Sequence, residues 1–353
     1  MTWVVWRQYR VEAAVAGALL AAFALVLLVT WVPMAAQWHT ALSACRANGS
    51  CASLADSLSL GNHAAYDLTI LSLVVPAVFG LLIGVPAVAG EAEARTQDFA
   101  WTQTITRSRW LLTKAGWLLL AAAVWGGCVA GLVTWWSGPR DALYGNAMQP
   151  NDFDMQGIVP VAYALFGMAL GIAAGALLRR TVPAIAVTLA GFVAVRTIVA
   201  EFIRPHYLTA VTTYYSVADN VTGGATPPSG AWVLGSGVVN KTGQVLAVPD
   251  VTVNSGGVPN VIAGVPVSAL PASCKALMPG IGSISASRTE TFGAGLHLSR
   301  VVACIQAAGF RQFVTYQPIS RFWAFQSIET AIFLALAAAL VAGAWVLAAR
   351  RDA

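Results

Sequence analysis

Few residues in this chain have the type and spacing to do chemistry, and what they exclude comes first. The four histidines, His39, His63, His206 and His297, are scattered. None accompanies the cysteines at zinc-ligand spacing, so no metal site is expected. The chain has no GxSxG elbow and no HExxH helix. It also has no GxxxxGK loop to cradle phosphate; Asn240-Lys241-Thr242 lacks the glycine. Asp152-Phe153-Asp154 offers oxygen donors for a cation, but reads more simply as a solvated acidic loop. No catalytic constellation emerges, and the chain is not expected to be an enzyme or to hold a cofactor of its own.

The remaining candidates are charges and thiols embedded in apolar sequence. Arg196, Glu201 and Arg204 sit in or at the end of one apolar run. A charge inside a bilayer is costly and is a functional candidate by default. Arg196 either snorkels toward the nearer surface or lines a polar vestibule. Glu201 and Arg204, three apart, can pair along a helix. Arg196 and Glu201 point about 140° apart and are not natural partners. No file of acidic residues runs through the apolar segments, which argues against proton coupling.

The elements that must position these residues follow from composition. Of 353 residues, 58% are hydrophobic and 10% charged, where a soluble domain carries about 25% charge. A water-soluble enzyme and a disordered chain are both excluded, leaving an integral membrane protein. Six stretches reach the roughly 20 apolar residues a spanning helix needs: about 11–32, 66–89, 115–136, 159–178, 183–202 and 326–348. The first is too long for a signal peptide and reads as a retained helix. Lys and Arg set the orientation. Arg7, Arg10, Arg95, Arg107, Arg109, Lys114, Arg179, Arg180, Arg350 and Arg351 fall on one side, against Arg46 and Arg140 in the short loops of the other. Both termini are therefore expected in the cytoplasm of a multi-pass plasma-membrane protein. The net charge of +5 needs no nucleic-acid partner to explain it.

The expected fold class is an all-α polytopic membrane protein, with six transmembrane helices and a mixed extracytoplasmic domain between helices 5 and 6. Residues 1–10 read as an amphipathic cytoplasmic helix that can lie in the interface. Residues 11–202 hold the first five spans, and 33–65 and 137–158 read as outer loops. Residues 203–325 are rich in Gly, Pro, Ser, Thr and Val and read as short strands, with helical periodicity over 298–314. Residues 326–353 hold the last span and a short tail. Cys128 falls mid-span and reads as a small packing residue. Cys45, Cys51, Cys274 and Cys304 fall on the oxidising side, where an even number implies disulfides. Three pairings are possible, and locality favours Cys45–Cys51 and Cys274–Cys304. Gly167/Gly171/Gly175, Gly80/Gly84 and Gly127/Gly131 repeat the four-residue spacing that lets helices approach closely.

The inner loop 90–114 reads GEAEARTQDFAWTQTITRSRWLLTK. Its Phe99, Trp101, Ile105 and Trp110 are more than a solvated loop needs. Glu91 and Glu93 open it and Arg107 and Arg109 close it, as suits a helix dipole. The run E-x-E, AWTQ, TRSRW, with QPISRFWAFQSIETAIFLALAAAL over 317–340, resembles the permease subunits of ABC-2-type exporters, in their actinobacterial branch. Arg95 stands where that family usually has glycine. The resemblance implies a half-transporter that pairs with a second copy or a similar permease and rests on a separate ABC ATPase subunit, which binds the ATP. Loop 91–110 would be its coupling helix, with Glu91, Glu93, Trp101, Thr102, Gln103 and Arg107 as contact or hinge residues. It also implies that part of 310–325 dips back toward the bilayer, while Trp323 and Phe325 suit the membrane interface. The competing readings are a membrane-anchored external domain acting in signalling or envelope maintenance, and a membrane enzyme, for which no constellation was found.

Overall fold

The structure is a computed structural model and describes residues 2–48, 80–94, 107–144, 146–217, 227–246, 261–262, 265–277 and 298–350. It divides into two units: Met1–Leu208 with Ile319–Ala353, and Thr209–Pro318. Among the described residues the first has helices and turns and no strand. Its long helices are α1 (Thr2–Asn48), α2 (Arg107–Tyr144), α3 (Val159–Leu178), α4 (Thr181–Ile198) and, after the second unit, α6 (Phe322–Arg350). Among the described residues five helices are long and apolar enough to cross a membrane, as an all-α polytopic membrane protein requires. The second expected span lies mostly outside the described residues. Its end is present as two π-helical segments, Gly80–Gly84 and Pro86–Gly90.

Several helices outrun their expected limits. Helix α1 continues unbroken through residues 10 and 11, so the chain makes no elbow after an interfacial segment. It also continues past Pro33 to Asn48, so the first half of 33–65 is helix. Helix α2 likewise extends beyond 115–136 at both ends, and 137–158 becomes its end followed by short helical turns.

Helix α3 is the centre of the unit, with most of its residues buried on all sides. Its glycines explain how. A Cβ on Gly171 would lie 2.9 Å from the Gly80 carbonyl oxygen, and one on Gly80 would lie 2.5 Å from Gly167 C. The backbones touch where only hydrogen leaves room. Helix α2 meets α3 through Gly126, whose Cβ would fall 2.9 Å from Val161 Cα; a Cβ on Gly127 or Gly131 would meet nothing within 4 Å among the described residues. The expected Gly127/Gly131 seam is therefore not used among the described residues, and the contact is one position away. Cys128 is exposed, not a packing residue, because it shares the outward side of α2. At the far end, Arg179 adopts a left-handed φ of 52° and its N–H bonds to the Gly175 carbonyl. This closes α3 and lets α4 start two residues later.

The second unit is mixed, as expected. Strands β1 (Val211–Ser216), β2 (Trp232–Val239), β3 (Val245–Leu246) and β6 (Arg311–Gln317) form an antiparallel sheet in the order β1-β6-β2-β3. A separate pair joins β4 (Val261–Ile262) to β5 (Val265–Pro266). Helix α5 (Leu298–Ala307) packs Val301 and Ile305 against Val238, Leu270 and Phe310. The helical reading of 298–314 overran. Gly309 takes φ +84°, and Phe310 N bonds back to the Ile305 carbonyl, so the helix ends there and residues 311–317 enter the sheet. The segment 310–325 is accordingly strand, turn and helix start. Cys274 and Cys304 are joined by a disulfide. Cys51 and the side chain of Cys45 lie outside the described residues.

Candidate functional site

Charge is gathered at both ends of the helical unit. At the end where α3 turns into α4, the two acids of the E-x-E run are engaged within the chain. Glu91 Oε1 lies 2.6 Å from Lys114 Nζ of α2, and that ammonium stands 4.9 Å over the Trp110 ring. Glu93 Oε2 accepts from the Thr181 backbone N–H at 3.1 Å and from its hydroxyl at 2.8 Å. Arg180, in the cap position of α4, supplies no side-chain cap. Glu93 does this from 88 residues away, placing a carboxylate on the positive end of the helix dipole. The Thr181 hydroxyl and N–H, aided by Arg180, hold the Glu93 carboxyl below its usual range. Glu91 and Glu93 thus tie residues 91–93 to α2 and to α4. Trp101, Thr102, Gln103 and the side chain of Arg107 lie outside the described residues.

The opposite ends of α3 and α4 meet the start of α6 in a buried ionic cluster. Arg204 is 1% exposed. Its Nε donates to Glu329 Oε2 at 2.8 Å, and its Nη2 donates to Glu329 Oε1 at 2.6 Å and to Asp154 Oδ1. Arg196 Nη2 donates to Asp154 Oδ2 at 2.9 Å. The Tyr163 hydroxyl lies 2.5 Å from Glu329 Oε1 and 3.0 Å from Asp154 Oδ1, so its one proton serves either carboxylate. Tyr207 donates to Glu329 Oε2 at 3.1 Å. The guanidinium groups of Arg196 and Arg204 stand 5.0 Å over the Tyr163 ring and 4.7 Å over the Phe153 ring. Two cations balance two anions, which is what permits burial of all four. Beside them, Gln326 Oε1 accepts from the N–H groups of Ile158 and Val159 at 2.9 and 3.0 Å, and its Nε2 donates to the Phe153 carbonyl. This caps α3 from α6.

Four expectations change here. Asp154 is buried (7% exposed), not part of a solvated acidic loop, because two arginines neutralise it. Arg196 turns inward to Asp154 and is only 15% exposed at its side chain, so it does not snorkel. Glu201 is exposed, and Arg204 pairs with Glu329 rather than with it. A π-helical turn over Val199–Ile203 is the cause. In a regular helix Arg196 and Arg204, eight apart, would diverge by about 80°. The wider turn takes up that angle, and both face Asp154. Phe325 is fully buried, with its ring 5.4 Å from Tyr207, whereas Trp323 remains exposed. Among the described residues no acidic, histidine or cysteine group is arranged to hold a metal.

Residues 17–204 match the family described as ABC-2 membrane transporter related. The chain belongs to that family. It is a permease component of the ABC-2 type, and the match runs from α1 through Arg204, covering the E-x-E junction and three corners of the ionic cluster. Glu329 and Gln326 lie beyond it. No curated protein and no solved structure matches the chain.

Proposed function

We propose that the chain is the membrane-spanning half of an ATP-driven exporter, worked by a separate ATPase subunit. The family match over 17–204 carries this reading. Loop 91–110 is the coupling element, docked on the ATPase at the cytoplasmic face, and both termini lie on that side. ATP belongs to the partner. Two such permeases, identical or similar, form the transport path between them. The Thr209–Pro318 unit stands outside the cell, where its Cys274–Cys304 disulfide is stable.

The E-x-E geometry supports this role. A loop that receives force must be tied firmly at its base. Glu91 ties it to α2 and Glu93 ties it to α4. Motion of the loop then passes into helices as rigid-body movement. The test is reconstitution of the chain with its co-purified ATPase, comparing wild type with Trp101→Ala/Arg107→Glu. ATP-dependent export should be lost in the double variant while membrane insertion is kept; unchanged export refutes the assignment of the loop.

A further inference from the structure

We propose that the helix Thr181–His206 is the rod that carries movement of the coupling loop across the membrane, gripped by Glu93 at one end and by the Asp154–Glu329 carboxylates through Arg204 at the other. This rests on the permease reading above and goes beyond it by naming the transmitting element and its two grips.

Length is the first argument. The helix has 26 residues, or about 39 Å at 1.5 Å per residue, enough to cross a hydrocarbon core of roughly 30 Å. Its sides are held lightly. In its apolar window 22% of residues are buried, against 61% for α3, 39% for α2 and 17% for the last span. The buried positions of α4 are Ala184, Thr188 and Phe192, one narrow stripe at four-residue spacing. Ala184 and Thr188 are small and give little interdigitation to resist sliding; Phe192 is the one interlocking side chain, with its ring 5.9 Å from Phe166 and 6.5 Å from Tyr163. Its ends are held strongly, by charge-assisted hydrogen bonds. Glu93 holds both Thr181 donors, and Arg204 is bound through Nε and Nη2 to two carboxylates from two other elements. A helix gripped at both ends passes displacement of one grip to the other.

The far grip is also built to switch. Tyr163 can give its proton to Asp154 or to Glu329. Asp154 keeps Arg196 when Arg204 moves away. Arg204 Nη1 is buried with no hydrogen-bond partner among the described residues, a donor left for a second arrangement. The π-helical turn between the two arginines is where the helix can rewind without breaking. Pulling on Thr181 thus slides Arg204 relative to Glu329 on α6 and loosens the joint between α4 and α6.

The experiment uses the full chain with its co-purified ATPase in lipid vesicles. Spin labels are placed through unnatural amino acids at positions 206 and 323, both exposed, leaving all five cysteines untouched. Their separation is read with and without nucleotide. The wild type is expected to shift by about 2 Å or more, the scale of helix movements in such transitions. Glu93→Ala should abolish the shift, and Glu93→Gln, which keeps an acceptor oxygen but loses the charge, should reduce it. Thr181→Val, which removes only the hydroxyl contact, should give a reduced shift and serves if Glu93→Ala does not fold. A full wild-type shift in Glu93→Ala, or in Thr181→Val when that is the variant available, overturns the proposal and leaves the permease reading standing. A chain that brings down no ATPase overturns both.

Discussion

Removing Arg204 is the sharpest perturbation of the ionic cluster. Arg204→Met keeps an unbranched apolar chain of similar reach but deletes the charge. Asp154 and Glu329, 7% and 0% exposed, are then left as two buried carboxylates with Arg196 as the cation beside them. Breaking a buried pair by deleting one partner costs about 3–5 kcal/mol, because the survivor stays charged and desolvated. At roughly 2–4 °C per kcal/mol for a unit of this size, the melting temperature in detergent should fall by about 6–20 °C. The double variant Arg204→Met/Glu329→Met removes both charges of the tightest pair. It should recover most of the loss, since an apolar replacement of a whole pair is often neutral. Thermal unfolding followed by tryptophan fluorescence reads both quantities, and the double-mutant cycle gives the coupling. A melting temperature for Arg204→Met within about 2 °C of wild type, or strict additivity in the cycle, refutes the claim that these charges hold α4 to α6.

Gly126→Ala should destabilise by about 1–3 kcal/mol, since its Cβ would meet Val161 backbone at 2.9 Å, whereas Gly127→Ala should be neutral or better; paired melting curves decide. Removing the Cys274–Cys304 bridge, which closes a separation of 30 residues, should cost the Thr209–Pro318 unit about 3–4 kcal/mol, seen as faster limited proteolysis within that unit under reducing conditions. The grip of Glu93 on Thr181 should depend on pH with a definite sign. Its folded carboxyl is held below the ordinary value, so the grip is complete above the unfolded value of about 4.3 and is lost as pH falls through the folded one. The nucleotide-driven shift between positions 206 and 323 should therefore be constant from pH 8 to about 5. A midpoint near neutrality would contradict it.

Much of the helical frame was legible because long apolar runs have one explanation in a chain so poor in charge. The α3 glycine seam was legible for the same reason: four-residue spacing of Gly167, Gly171 and Gly175 has few uses besides close backbone approach. The E-x-E run marked its loop, but not that Glu93 would cap a helix 88 residues away. Nothing local encodes that distance. The ionic cluster was half visible. Arg196 and Arg204 in one span required buried counter-charges, and Glu329, one turn inside the last span, was the acid to look for. Asp154 was hidden by its neighbours, because an acidic pair beside Pro150 and Asn151 looks like a solvated loop. The π-helical turn that aligns the two arginines has no sequence mark at all, which is why Glu201 rather than Glu329 was expected to pair with Arg204. Helix ends moved for a simpler reason. The Ala-rich stretch after Pro33 continues α1 as readily outside an apolar run as within it.

The most direct test of the account is a gentle detergent pull-down of the tagged chain from its native membrane, with mass spectrometry of what accompanies it. The account expects a soluble ATPase with a phosphate-binding glycine loop, in roughly stoichiometric amount, retained by the wild type and lost on Trp101→Ala/Arg107→Glu. A chain that comes down without an ATPase, and that ATP leaves unchanged, would contradict it and return attention to the Thr209–Pro318 unit as an anchored domain with a binding role of its own.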